Sequence, residues 1–209
     1  MNYEILLTFV TATAALAISP GPDNIYVLMQ SVVHGKKYGL ATTAGLISGC
    51  LVHTTLLAFG VSALIKANEN LFFFIKLLGA LYLFFLAFKV FTNSAALNLE
   101  EASSVPKKSL LQLFKQGFVM NVLNPKVTIF FLAFFPGFLF SNTLSNTVQF
   151  YILGLLFMLV SFLVFSLIAI LSGSISRYLK QNAGTGTFFK WLQIVVFIGI
   201  GVYILLSDN

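Results

Sequence analysis

The chain has 209 residues, 58% of them hydrophobic and only 9% charged, against roughly 25% charged in an ordinary soluble domain. With 24 Phe and a mean hydropathy of +0.96, it carries more apolar surface than one water-facing globule can hide, which excludes a soluble fold and makes lipid the natural solvent. The net charge of +6 would suit an anionic partner, but its placement along the chain argues for lipid heads and against nucleic acid.

Six apolar segments follow one another, at about 4–33, 39–65, 71–91, 114–140, 147–172 and 188–207. A crossing needs roughly 20 apolar residues. Six crossings with short loops therefore use up the chain, and the expectation is an all-α, single transmembrane domain over 1–209. The start, Met1-Asn2-Tyr3-Glu4, has no basic residue, and its apolar run outlasts the h-region of a signal peptide, so it is read as a retained span.

Inside the first segment lies Ser19-Pro20-Gly21-Pro22-Asp23-Asn24. Two prolines remove backbone donors and clash with the preceding turn, so the helix is expected to break there. Such a break is tolerated in a membrane only where the freed groups face protein or a wet cavity. Asp23 stands 13 residues before Lys36, roughly 20 Å along a helix and well inside the bilayer. In the second segment, Gly45 and Gly49 form a small-xxx-small pair suited to close helix approach. Cys50 and His53 share one helical face, a spacing that could share a metal, but no third ligand is near in sequence; His53 with Thr54 and Thr55 could instead line a cavity. The chain's single cysteine excludes an intrachain disulfide.

The longest connection, about 93–113, holds Glu100, Glu101, Pro106, Lys107 and Lys108, read as a solvated loop. The fourth segment repeats the device of the first, with Asn121-Val122-Leu123-Asn124-Pro125-Lys126. Lys126 is 11 residues beyond Lys115, roughly 16 Å into the membrane. An ionised group at such depth costs about 2.5–3.5 kcal/mol on insertion scales, a cost offset if Asp23 and Lys126 meet each other or a charged ligand. The Phe72–Phe74 and Phe130–Phe131 runs read as core or lipid-facing, Gly199 and Gly201 as packing residues, and Tyr178 and Trp191 as interfacial anchors.

Nine basic residues (Lys36, Lys37, Lys89, Lys107, Lys108, Lys115, Arg177, Lys180, Lys190) fall on one side of this arrangement and two (Lys66, Lys76) on the other. The positive-inside rule then puts loops 1–2, 3–4 and 5–6 in the cytoplasm and both termini outside. Sliding Ser19-Pro20 onto Asn124-Pro125 gives an offset of 105 that also carries span 2 onto span 5. Three spans are an odd number, so the halves, about 1–92 and 114–209, form an inverted repeat. Broken helices at equivalent places in inverted halves point to a transporter's midplane site. No nucleophile–base set, zinc-protease helix, nucleotide loop or dinucleotide fingerprint suggests an enzyme, and no cofactor is expected. An ion channel and a metal-efflux protein are the competing classes.

With its Pro20-Gly21-Pro22 and Asn124-Pro125-Lys126 motifs, its length and its span count, the chain resembles the LysE/RhtB family of bacterial amino-acid exporters over nearly its whole length. The resemblance implies a bacterial inner-membrane carrier that exports amino acids or close derivatives, driven by the proton gradient. The family's position after Pro-Gly-Pro varies, so Asp23 enters on its own chemistry. The expected site comprises Pro20, Gly21, Pro22, Asp23, Asn24, His53, Asn121, Asn124, Pro125 and Lys126, its partners a small zwitterionic amino acid and protons; a homodimer is compatible with so small a chain.

Overall fold

A computed structural model describes residues 2–19, 21–63, 69–92, 107–181 and 185–206; the side chains of 69–72, 75–76, 125–126, 180–181 and 185–186 lie outside the description. Among the described residues every regular element is a helix: α1 (Tyr3–Ile18), α2 (Pro22–His34), α3 (Lys36–Leu56), α4 (Glu69–Thr92), α5 (Leu110–Val122), α6 (Pro125–Phe134), α7 (Asn146–Ile170), α8 (Ser172–Gln181) and α9 (Thr185–Leu206). A π turn over Leu57–Val61 prolongs α3 and a 3-10 turn over Phe135–Phe138 prolongs α6.

Three helices, Lys36–Val61, Asn146–Ile170 and Thr187–Leu206, are each long and apolar enough to cross a membrane. Two further pairs pass the same test jointly but are bent at a break: α1 with α2 by 59°, and α5 with α6 by 53°. Both breaks fall on the proline motifs. The third expected span, about 71–91, lies within the 24 residues of α4.

Local chemistry sets the ends. Asn2 Oδ1 caps α1 by accepting from the amides of Glu4 at 3.0 Å and Ile5 at 3.4 Å. The helix α5 begins at Leu110, about four residues before the expected 114, because Ser109 and Gln112 form a reciprocal capping box. Between α2 and α3 the chain turns at Gly35 alone, whose φ of 101° is open to glycine and strained for other residues. The stretch after span 5 was expected as loop; it forms α8, with Ser172 and Ser176 buried and Arg177 and Tyr178 exposed.

Helix α3 is the centre of the bundle, against α2, α5 and α7, while α4 lies along α9 and α1 along α7. Its approach to α5 is close: a Cβ on Gly45 would strike the Phe114 carbonyl, and one on Gly117 the Thr42 carbonyl. The small residues thus act as the sequence predicted. A Cβ on Gly201 would likewise strike the Phe84 ring, whereas Gly199 faces open space. The main core is aromatic. Phe9 contacts Phe134 at 5.2 Å and Phe135 and Phe138 at 5.3 Å each, and Phe131 stacks on Phe135 at 4.3 Å. Phe130 and Phe131 are therefore core, while Phe73 and Phe74 are exposed. Outward faces carry Leu7, Phe85, Leu159 and Val195, an apolar exterior that water would penalise and lipid does not.

Three contacts tie the ends of helices together. The Asn2 amide donates to the Phe140 carbonyl at 2.9 Å, holding the start of α1 beside the α6–α7 connection. Lys107 Nζ lies 6.0 Å from the Tyr38 ring centre, which puts the start of α3 and the approach to α5 at one end. Lys190 and Trp191 meet Phe91, joining the end of α4 to the start of α9. Lys66, Pro20, Glu100, Glu101 and Pro106 fall outside the described residues, as do the side chains of Phe72, Lys76 and Lys180.

Candidate functional site

The two breaks open onto one cavity of about 100 Å³, room for several waters. Ser19, Gly21, Pro22, Asp23 and Asn24 line it from the first break; Asn121, Asn124 and Val127 line it from the second. The remaining wall is Leu46, Ile47 and Cys50 of α3, Leu83 and Leu86 of α4, Phe157, Ser161 and Phe165 of α7, Phe130 and Phe197. Polar groups thus cluster at the breaks and apolar ones around them, the usual make-up of a small-molecule site.

Each break leaves a carbonyl without its helical donor, and the structure shows what replaces it. In an unbroken helix the Asn121 carbonyl would accept from residue 125, but proline has no N–H. It accepts instead from the Asn124 amide at 3.1 Å and lies 3.1 Å from His53 Nε2 on α3. A carbonyl can only accept, so Nε2 carries the proton and Nδ1 is bare in the neutral ring. At the first break the chain is extended at Gly21, and the Ala17 carbonyl takes its hydrogen bond from Asn24 Nδ2 at 2.7 Å. The first break is thus mended by a side chain from beyond it, and the second by a backbone amide together with a side chain of α3.

Pro22 begins α2 at the position where a missing donor costs nothing, and Asp23 follows in the first turn. The free amides and positive end of α2 favour a carboxylate there, an offset for its burial besides the Lys126 or charged ligand that the sequence suggests. Asp23 is the only carboxylate among the described lining residues. On the opposite wall, the Asn121 side chain sits against Gly49, where a Cβ would approach Oδ1 to 2.7 Å, with the Cys50 thiol beside it.

Of the ten expected site residues, Gly21, Pro22, Asp23, Asn24, Asn121 and Asn124 meet at this cavity. His53 does not line it: the ring is buried behind Asn121, 5.4 Å from the Phe131 ring. Lys126 follows Pro125 in the first turn of α6, its side chain outside the described residues, as Pro20 is entirely. Cys50 and His53 are both buried, and no group of three His, Cys, Asp or Glu able to hold a metal occurs among the described residues. Among the lining residues that sequence reasoning missed, Ser161 is polar and stands one helical turn from Phe157 and from Phe165.

Comparison with known proteins agrees with this architecture. The model of the LysE type translocator family matches residues 14–208. A leucine efflux protein of Klebsiella pneumoniae is 32% identical over 202 residues, covering 95% of this chain and 92% of its own. A leucine efflux protein of Enterobacter is 30% identical, covering 92% and 90%, and a homoserine/homoserine lactone efflux protein of Salmonella typhimurium 28%, covering 86% of each. No solved structure matches. A family match over nearly the full length, on a helical chain with an apolar exterior, places this protein in the LysE family of multi-pass membrane translocators.

Proposed function

We propose that the protein is a secondary transporter that exports amino acids or close derivatives across the bacterial inner membrane by proton antiport. The observation that carries this reading is the convergence of both proline breaks on one cavity, with polar groups at the breaks and apolar walls around them. Relatives named for efflux of leucine and of homoserine support an amino acid as cargo. In this reading Asp23 takes the substrate's ammonium group or a proton, Lys126 draws the carboxylate, and Asn24, Asn121, Asn124 and the backbone around Gly21 and Pro125 complete the binding set. The fold is six spans in two inverted halves, with α4 as the third. Supporting it, α1 lies on α7 as α5 lies on α3, and α3 and α7, like α4 and α9, are neighbours, the exchange that a repeat relation requires. Both termini lie outside.

Proteoliposomes loaded with labelled amino acids test the function. Imposing a pH gradient should drive concentrative movement of at least one of them, and Pro125→Ala, which restores the amide that an unbroken helix would offer the Asn121 carbonyl, should lose most of that transport while still inserting. Movement indifferent to the pH gradient would remove proton coupling; currents far above carrier turnover in a planar bilayer would make the cavity a pore.

A further inference from the structure

Most serines and threonines in membrane helices hide their hydroxyl by bonding to the carbonyl four residues earlier. This protein follows that habit: Ser31 bonds Val27 O at 2.7 Å, Ser48 bonds Ala44 O at 2.7 Å and Thr54 bonds Cys50 O at 2.9 Å. Ser161 does not. It sits in regular helix, where the Phe157 carbonyl is the ordinary acceptor, yet its Oγ makes no hydrogen bond although the residue is only 3% exposed. Thr13, Thr43, Ser62 and Ser166 also carry buried hydroxyls without partners but do not line the cavity; Ser19 carries one and does line it, at the first break. Ser161 does, one turn from Phe157 on one side and from Phe165 on the other, both lining it too. It is a single polar atom in the aromatic wall, on a different helix from either break.

We infer that Ser161 is the specificity-determining residue of the cavity, reading a hydroxyl on the substrate's side chain. The inference rests on the export reading and names its substrate class: small α-amino acids with a side-chain hydroxyl, favoured over aliphatic isosteres. With the charged ends of the substrate held at the breaks, its side chain projects into the apolar wall. A purely aliphatic side chain entering there leaves the Ser161 hydroxyl buried and unpaired. A hydroxylated one supplies the missing hydrogen bond, and either oxygen can donate. One neutral hydrogen bond of this kind sets a preference of about tenfold.

The test is competitive transport by the purified full-length protein in proteoliposomes, using two near-isosteric pairs, threonine with valine and homoserine with norvaline. The wild type should prefer the hydroxylated member of a pair about tenfold. Ser161→Ala should cut that ratio to near one by weakening the hydroxylated member alone, and its melting temperature in detergent should hold or rise, since an unpaired hydroxyl has been removed. Ser48→Ala, which removes a self-satisfied hydroxyl away from the cavity, should leave the ratio alone. An unchanged ratio in Ser161→Ala overturns the assignment, as does an equal loss of both members together with a fall in melting temperature, which would make the hydroxyl structural. If the wild type moves no amino acid from a wider panel, the export reading itself falls; transport of other amino acids without a hydroxyl preference removes only Ser161's role.

Discussion

At the scale of single residues, the breaks are held by borrowed donors. The Asn121 carbonyl owes part of its satisfaction to His53, 68 residues away in the chain. Removing that donor should cost about 1–3 kcal/mol, the penalty of a buried acceptor left short. His53→Ala should therefore lower the melting temperature in detergent, and His53→Gln, which restores an N–H, should recover much of it. If His53 instead carried protons, His53→Gln would melt normally yet lose export driven by a pH gradient. Asp23 has the complementary test. Asp23→Asn keeps size and hydrogen bonding but fixes the neutral state, so gradient-driven export should vanish while exchange of substrate for substrate persists. Undiminished uphill export by that variant would make Asp23 a structural partner of its helix end. Lys126→Met should lose both activities if Lys126 draws the carboxylate.

At the scale of elements, α3 is positioned by small residues rather than by large interlocking ones. Gly45 admits the Phe114 carbonyl and Gly49 the Asn121 side chain, while Gly154 of α7 admits Thr54 from the other side. Without a hydrophobic force between helices in lipid, such close contact is what holds them. It also aligns α3 with the second break, bringing His53 and Cys50 opposite Asn121. Gly45→Leu and Gly49→Leu must push α5 away and should abolish a folded, monodisperse protein in detergent chromatography. Gly199→Ala meets nothing within 4 Å and lies inside α9, so it should stabilise by up to about 1 kcal/mol, seen as a small rise in melting temperature. Equal tolerance of all three substitutions would show that the α3–α5 contact is not as close as described.

At the scale of the whole molecule, the basic residues and the two kinds of core set a direction. The aromatic cluster around Phe9 and Phe138 fills the end near Asn2 and Phe140, where Gln149 ties down the α6–α7 connection through Phe140 and Ser141. The opposite end is closed by a smaller set, Val27, Leu46 and Ala169, and carries Lys36, Lys37 and Lys107. In the proposed orientation, which follows the positive-inside rule, that basic end faces the cytoplasm. Single cysteines in a Cys50→Ala background check it: Asn142→Cys should react with an impermeant thiol reagent in intact cells, and Lys37→Cys only after permeabilisation. The reverse pattern would invert the orientation and turn the same path into one for uptake.

Composition and proline placement by themselves determined the class. A chain with so few charges and such long apolar runs has only the bilayer as solvent, and prolines at 20, 22 and 125 forbid continuous hydrogen bonding wherever they fall. The breaks, their residues and the small-residue face of α3 were legible for that reason: each is a local property of backbone chemistry. The capping box at Ser109 and the amphipathic helix at 172–181 were legible in principle but went unread because neither lies in a long apolar run. What the tertiary structure alone decided is which groups meet. His53 reads in sequence as a cavity histidine and proves to be a carbonyl's donor behind the wall, because the α3–α5 approach at Gly49 puts it against Asn121. Ser161 carries no signal of its own in the sequence; only the packing of α7 against its neighbours brings it to the cavity wall. Distances between side chains far apart in sequence depend on helix rotation and packing, which no local pattern fixes.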